Sequence, residues 1–136
     1  MAELFLLGRI ILGGYFLYNG MNHFVSMAAM VQYAGSKGVP MPEIAVTVAG
    51  ALLIVGGASI LLGLWPPLGV LCIVLFLAAV TPMMHNFWAM TDPTVRLGEI
   101  VNFTKNVALL GGALGLLGVP QPWPYSVERR RRLIAV

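Results

Sequence analysis

The stretch "GALLIVGGASILLGLWPP", Gly50 to Pro67, decides the fold. It carries no charged side chain. Extended back to Glu43, it gives an apolar segment over residues 43–64. That matches the roughly 20 residues a helix needs to cross a bilayer. The closing Trp65-Pro66-Pro67 leaves room only for a tight turn before the next apolar run. At the other end, Pro42 suits a first helical turn, and Glu43 suits the positive end of the helix dipole.

Three more segments qualify by the same measure: residues 3–24, 67–87 and 97–118. The chain has 136 residues, of which 59% are hydrophobic and 10% charged. Soluble domains carry about 25% charged residues. The mean hydropathy of +0.88 points the same way. The sequence therefore predicts an all-α polytopic membrane protein: one domain over residues 1–136, built as an antiparallel bundle of four transmembrane helices. The first span lacks a basic start and an A-x-A site, so it reads as a helix rather than a cleaved leader. Asp92 followed by Pro93 offers an N-cap and first turn, so the last helix is expected to begin ahead of Leu97.

The tail, residues 125–136, contains Arg129 to Arg132. By the positive-inside rule this end is cytoplasmic, and four spans return the N-terminus to the same side. On a membrane protein such a run is a topology signal, so no nucleic-acid partner is expected. Trp65, Trp88 and Trp123 suit the interfacial belts. The single cysteine, Cys72, excludes an internal disulfide or a CxxC redox pair and reads as a core residue. Gly111 and Gly115 form a G-x-x-x-G, expected to pack within the bundle or, alternatively, to form a homo-oligomer face.

Polar residues gather at the outer ends of the spans. Asn19, Asn22 and His23 close the first, and His85, Asn86 and Trp88 close the third. Glu99, Asn102, Lys105 and Asn106 lie in the first half of the fourth. At about 100° per residue, Glu99, Asn102 and Asn106 share a face. Lipid satisfies none of these groups, so they are expected to converge, with Glu99 paired to Lys105. Arg9 lies near the opposite end, where it either snorkels to headgroups or binds the C-terminal segment "GVPQPWPYS". Two histidines without further haem signals disfavour haem. The lack of a closely spaced ligand pair disfavours zinc, and Met83 and Met84 read as core rather than copper ligands.

"GRIILGGYFLYNGMNHF" (Gly8–Phe24), the Gly50–Pro67 stretch, "HNFW" (His85–Trp88) and "FTKNVALLGG" (Phe103–Gly112) together resemble the DoxX family of small four-helix membrane proteins. The resemblance runs over nearly the whole chain, with an H-x-F-W after helix 3 and an F-x-K-N in helix 4 like those of the bacterial branch. It implies residence in the bacterial inner membrane. It also implies either quinone-linked redox work or a partner-handling role. Many relatives carry a lysine where this chain has His23, and a glutamate ahead of the Gly-Gly of helix 2, where this chain has apolar residues such as Leu53.

Three functions follow from these readings. The first is a subunit of a quinone-linked oxidoreductase with an outer-leaflet pocket. His85, Glu99 and Lys105 would then exchange protons and hydrogen bonds, and Asn22, His23, Trp88, Asn102, Phe103 and Asn106 would shape the quinone site. With no thiol pair or haem signal of its own, the chain would need a redox partner. The second is a non-catalytic scaffold or chaperone-like subunit. The third is a carrier for a small solute or lipid.

Overall fold

The computed structural model describes residues 1–134; Ala135, Val136 and the side chain of Arg132, all within the expected basic tail, lie outside the described part. Six α-helices follow one another: α1 (Ala2–Val25), α2 (Met27–Ser36), α3 (Pro42–Leu62), α4 (Pro66–Met84), α5 (Pro93–Gly115) and α6 (Val127–Ile134). Short 3-10 turns at Phe87–Ala89 and Leu116–Gly118 follow α4 and α5. Four helices, α1, α3, α4 and α5, are long and apolar enough to cross a membrane. The described chain is thus all-helical, as the sequence predicts.

Proline sets the starts. Pro42, Pro66 and Pro93 open α3, α4 and α5, where a missing N–H costs no hydrogen bond. Asp92 caps α5: its Oδ1 accepts from the backbone N–H groups of Thr94 at 2.8 Å and Val95 at 2.9 Å. The helix therefore starts ahead of Leu97, as expected. Gly63 ends α3 in the left-handed region, with φ 63°.

Helices α2 and α6 were not anticipated. Ser26 interrupts the first helix, and the chain continues as a ten-residue helix where the sequence reads as a loop. α2 lies across the end of the bundle remote from the termini and packs on α3.

In lipid, helices associate through close packing, because the surrounding tails are as apolar as the side chains. Glycine supplies that closeness between α1 and α3. A Cβ on Gly57 would stand 2.5 Å from the Leu17 nitrogen, and one on Gly13 would stand 2.7 Å from the Leu61 nitrogen. α3 meets α4 in the same way, with Gly56 against Ile73 and Gly69 against Ser59. Phe16, Leu53, Ile60, Val70, Ile73, Leu77 and Ala113 form the core. The spans pack in the order α1, α3, α4, α5, and α1 and α5 are not packed side by side.

The G-x-x-x-G does not pack within the bundle. A Cβ on Gly111 or Gly115 would meet nothing within 4 Å. α5 turns Glu99, Asn106 and Ala113 inward at a seven-residue spacing. Gly111 and Gly115 fall about 140° and 180° from Asn106.

At the other end of the bundle, Arg9 is 1% exposed and binds inward rather than snorkelling. Its Nε donates to the Ile60 carbonyl at 3.1 Å and its Nη2 to the Leu61 carbonyl at 3.0 Å. These are orphan acceptors of the last turn of α3, where the dipole favours a cation. Its Nη1 reaches the Pro124 carbonyl at 2.7 Å, so the C-terminal segment is bound as one of the two expectations had it. Phe5 and Trp123 flank the guanidinium at 5.7 and 5.4 Å. Trp123 is therefore buried, at 1% exposure, and is not an interfacial anchor. The donor-rich guanidinium needs carbonyl partners more than headgroups, and the indole closes over it. Trp65 and Trp88 are exposed, as belt residues are. The start of α1 and α6 share this end, the one that the positive-inside rule leads one to expect in the cytoplasm.

Candidate functional site

A cavity of about 500 Å³ occupies the half of the bundle remote from the termini. Its walls are mostly apolar, with Phe16, Leu53, Phe76, Leu77 and Leu109 among them. Met30, Tyr33 and Ala34 of α2 line it too and cover its end. The bend at Ser26 is what turns α2 into this position. Tyr15 of α1 and Lys105 of α5 line the cavity and are exposed. So are Val48 of α3 and Leu75 of α4. The cavity thus opens sideways between spans.

Besides Tyr15 and Tyr33, five polar side chains reach it: Asn19, His23, His85, Lys105 and Asn106. Asn19 donates to the Tyr15 carbonyl at 2.7 Å, within its own helix. His23 Nδ1 lies 2.8 Å from the Asn19 carbonyl, and its ring stands edge-on to Phe76. Asn106 is 8% exposed and faces the cavity.

His85 caps the end of α4. Its Nδ1 is 2.7 Å from Glu99 Oε2, and Lys37 Nζ donates to Glu99 Oε1 at 2.5 Å. Each carboxylate oxygen of Glu99 therefore has its own partner, as a buried carboxylate requires. The other ring nitrogen of His85, Nε2, has no hydrogen-bond partner among the described residues. Glu99 itself does not line the cavity; it stands behind His85 and fixes the ring. Beside it, Asn86 Oδ1 is buried without a hydrogen-bond partner among the described residues.

The expected Glu99–Lys105 pair does not form. Lys105 Nζ donates instead to Asn102 Oδ1, at 3.1 Å, and its side chain is exposed. Six residues along one helix put the two head groups on different faces, and Lys37 fills the place from another element. Of the remaining candidates, Asn22 accepts from Ser26 Oγ at 3.2 Å at the α1–α2 bend. Trp88 and Phe103 stack edge-to-face with Phe87, with centroids 5.2 to 6.0 Å apart. These three and Asn102 do not line the cavity. No group of three or more potential metal ligands converges among the described residues.

Sequence reasoning missed Lys37. It follows α2 in the stretch "GSKGVP", which reads as an ordinary outer loop. The one available signal was electrostatic. A buried carboxylate needs a cation, and Lys37 is the only lysine besides Lys105.

Comparison with known proteins agrees with this architecture. The DoxX family model matches residues 4–86. The chain is 34% identical over 128 residues to the inner membrane protein YphA of Escherichia coli (strain K12), covering 93% of this chain and 89% of that one. No solved structure matches. The relative and the four apolar helices make this a multi-pass protein of the bacterial inner membrane. The chain belongs to the DoxX family.

Proposed function

We propose that the protein is a membrane subunit that binds a quinone or quinol in its outer-leaflet cavity and serves a redox partner. The observation that supports this is the cavity itself. It is apolar, covered on its aqueous side by α2, open sideways to lipid, and furnished with a few polar groups. Its volume lies within the usual range of small-molecule sites, about 300–1,000 Å³.

The residues fit such a ligand. A quinone offers a flat apolar ring and two carbonyl acceptors. Lys105 Nζ and the Asn106 amide are donors at one wall, and His85 stands at the covered end. Phe16, Leu53 and Leu77 give the ring and isoprenoid tail an apolar bed. Reduction of a quinone takes two electrons and two protons. The electrons would come from the partner subunit. His85 Nε2 is placed to hold or pass one proton, with its ring oriented by Glu99.

The test is retention. Protein purified in mild detergent is extracted, and quinone per protein is measured by mass spectrometry. Wild type is expected to retain quinone, and His85→Ala to lose it while melting as a folded bundle. A wild type that neither retains quinone nor binds it when supplied in bilayers would sink the reading. A second reading, a scaffold for another membrane protein, draws on the bare Gly111–Gly115 face of α5. Co-purification of a stoichiometric partner without quinone would favour it.

A further inference from the structure

We propose that the cytoplasmic end of the protein carries a specific site for one anionic phospholipid, built from α6 and the segment that Arg9 holds. This site is separate from the outer cavity and independent of any quinone role.

A second cavity, about 360 Å³, lies where the start of α1 meets α6. Arg129, Arg130, Ser126, Tyr125 and Leu133 line it. Arg129 and Arg130 bring planar, multi-donor guanidiniums, the groups suited to recognising a phosphodiester. Leu133 and Ala2 add apolar surface beside them, and Leu133 is 74% exposed. Cationic donors next to bare apolar surface match a headgroup joined to an acyl chain, and suit free phosphate less well.

The site is mounted on a fixed support. Arg9 holds the Pro124 carbonyl, and Trp123 is buried against Phe5. Two residues on, Ser126 Oγ accepts from the Arg129 N–H at 3.1 Å and so caps α6. Arg129 and Arg130 thus project from a braced ledge, unlike arginines on a loose tail. Of the acids at this end, Glu128 stands on α6 itself, and Glu3 at the start of α1 has its Oε1 engaged by the Tyr125 hydroxyl at 3.1 Å. At about 100° per residue, Arg129, Leu133 and Arg130 fall on one side of α6 and Arg131 on the other. The end bearing α6 is cytoplasmic by the positive-inside rule, and anionic lipids attract basic groups at that surface.

The occupant is therefore an anionic glycerophospholipid of the cytoplasmic leaflet. Full-length protein in detergent is titrated with phosphatidylglycerol, phosphatidylcholine and glycerol 1-phosphate, and bound molecules are counted by native mass spectrometry. Wild type is expected to take up one phosphatidylglycerol at concentrations where phosphatidylcholine does not bind. The double variant Arg129→Gln, Arg130→Gln should weaken this about thirtyfold, at about fivefold per arginine. Arg131→Gln, outside the cavity, should cost well under the fivefold of one cavity arginine. Equal binding of phosphatidylcholine, or a loss of about fivefold on Arg131→Gln, would mean diffuse charge and overturn the site. Competition by glycerol 1-phosphate as effective as by phospholipid would make it a phosphate site instead.

Discussion

Lys37 Nζ and Glu99 Oε1 are 2.5 Å apart although 62 residues separate them in the chain. The contact ties the connection after α2 to α5, at the covered end of the larger cavity. Because Glu99 also holds His85, one carboxylate joins the cover of the cavity, the end of α4 and the start of α5. The side chains of this cluster are 11% to 16% exposed, so water screens them only partly.

Removing one member of that pair should cost more than removing both. Glu99→Gln leaves the Lys37 ammonium without its counter-ion. A loss of about 2 kcal/mol is expected, between the values for exposed and fully buried pairs. Adding Lys37→Met should restore part of it. Adding Lys105→Met instead should not, because Lys105 bonds to Asn102. Denaturant melts of these three variants and of Lys37→Met alone, in one detergent, decide the matter; additivity of Glu99→Gln and Lys37→Met would mean the pair carries no coupling.

The glycines should separate into two classes. Gly57→Ala puts a methyl 2.8 Å from the Gly13 carbonyl oxygen, and backbone cannot yield there without parting α1 from α3. A loss of about 2 kcal/mol is expected from overpacking. Gly115→Ala, with nothing within 4 Å, should leave the melting of the monomer unchanged. If Gly115→Ala shifts size-exclusion elution but not melting, the face is an interface between proteins.

Arg9→Met should free the C-terminal segment. Three carbonyls lose their donor and the aromatic pair loses its cation. At about 1.5 kcal/mol per charged hydrogen bond, the loss is roughly 4 to 5 kcal/mol. Limited proteolysis should then cut between Val119 and Ser126, whereas the wild type resists. Arg9→Lys should fall between the two, since one ammonium cannot span carbonyls on α3 and on the tail. Equal proteolysis of wild type and Arg9→Met would place the hold on the segment elsewhere.

These contacts divide into those the sequence could show and those it could not. The apolar spans, the proline starts and the Asp92 cap were legible, because each is set by neighbours in the chain. So was the approach of His85 to Glu99, since topology puts both at one level and lipid gives neither a partner. Helical periodicity relates residues only within one helix, and it could not choose between Lys37 and Lys105 for Glu99. α2 was hidden because ten residues of mixed polarity carry no membrane signal, and its helix is stabilised by packing on α3. For Gly111 and Gly115, the spacing identifies a smooth helix face but says nothing of what that face meets.

The outer cavity itself can be tested without touching its polar groups. Ala49 and Ala79 line it from α3 and α4. Neither is fully buried, so a larger side chain can enter the open space without displacing the core. Ala49→Phe adds a ring to a volume of about 500 Å³ and should obstruct a ligand that fills it. The variant should melt within about 1 kcal/mol of wild type, because the ring occupies open space and forces no overpacking. Retained quinone should fall at least tenfold, a loss that His85→Ala should match by a different route. His85→Ala removes a polar contact and leaves the space; Ala49→Phe removes space and leaves the contact. If both variants lose quinone and stay folded, the ligand lies in this cavity against His85. If Ala49→Phe retains quinone at the wild-type level, the quinone is bound outside the helices that form the cavity, and the proposed site is wrong.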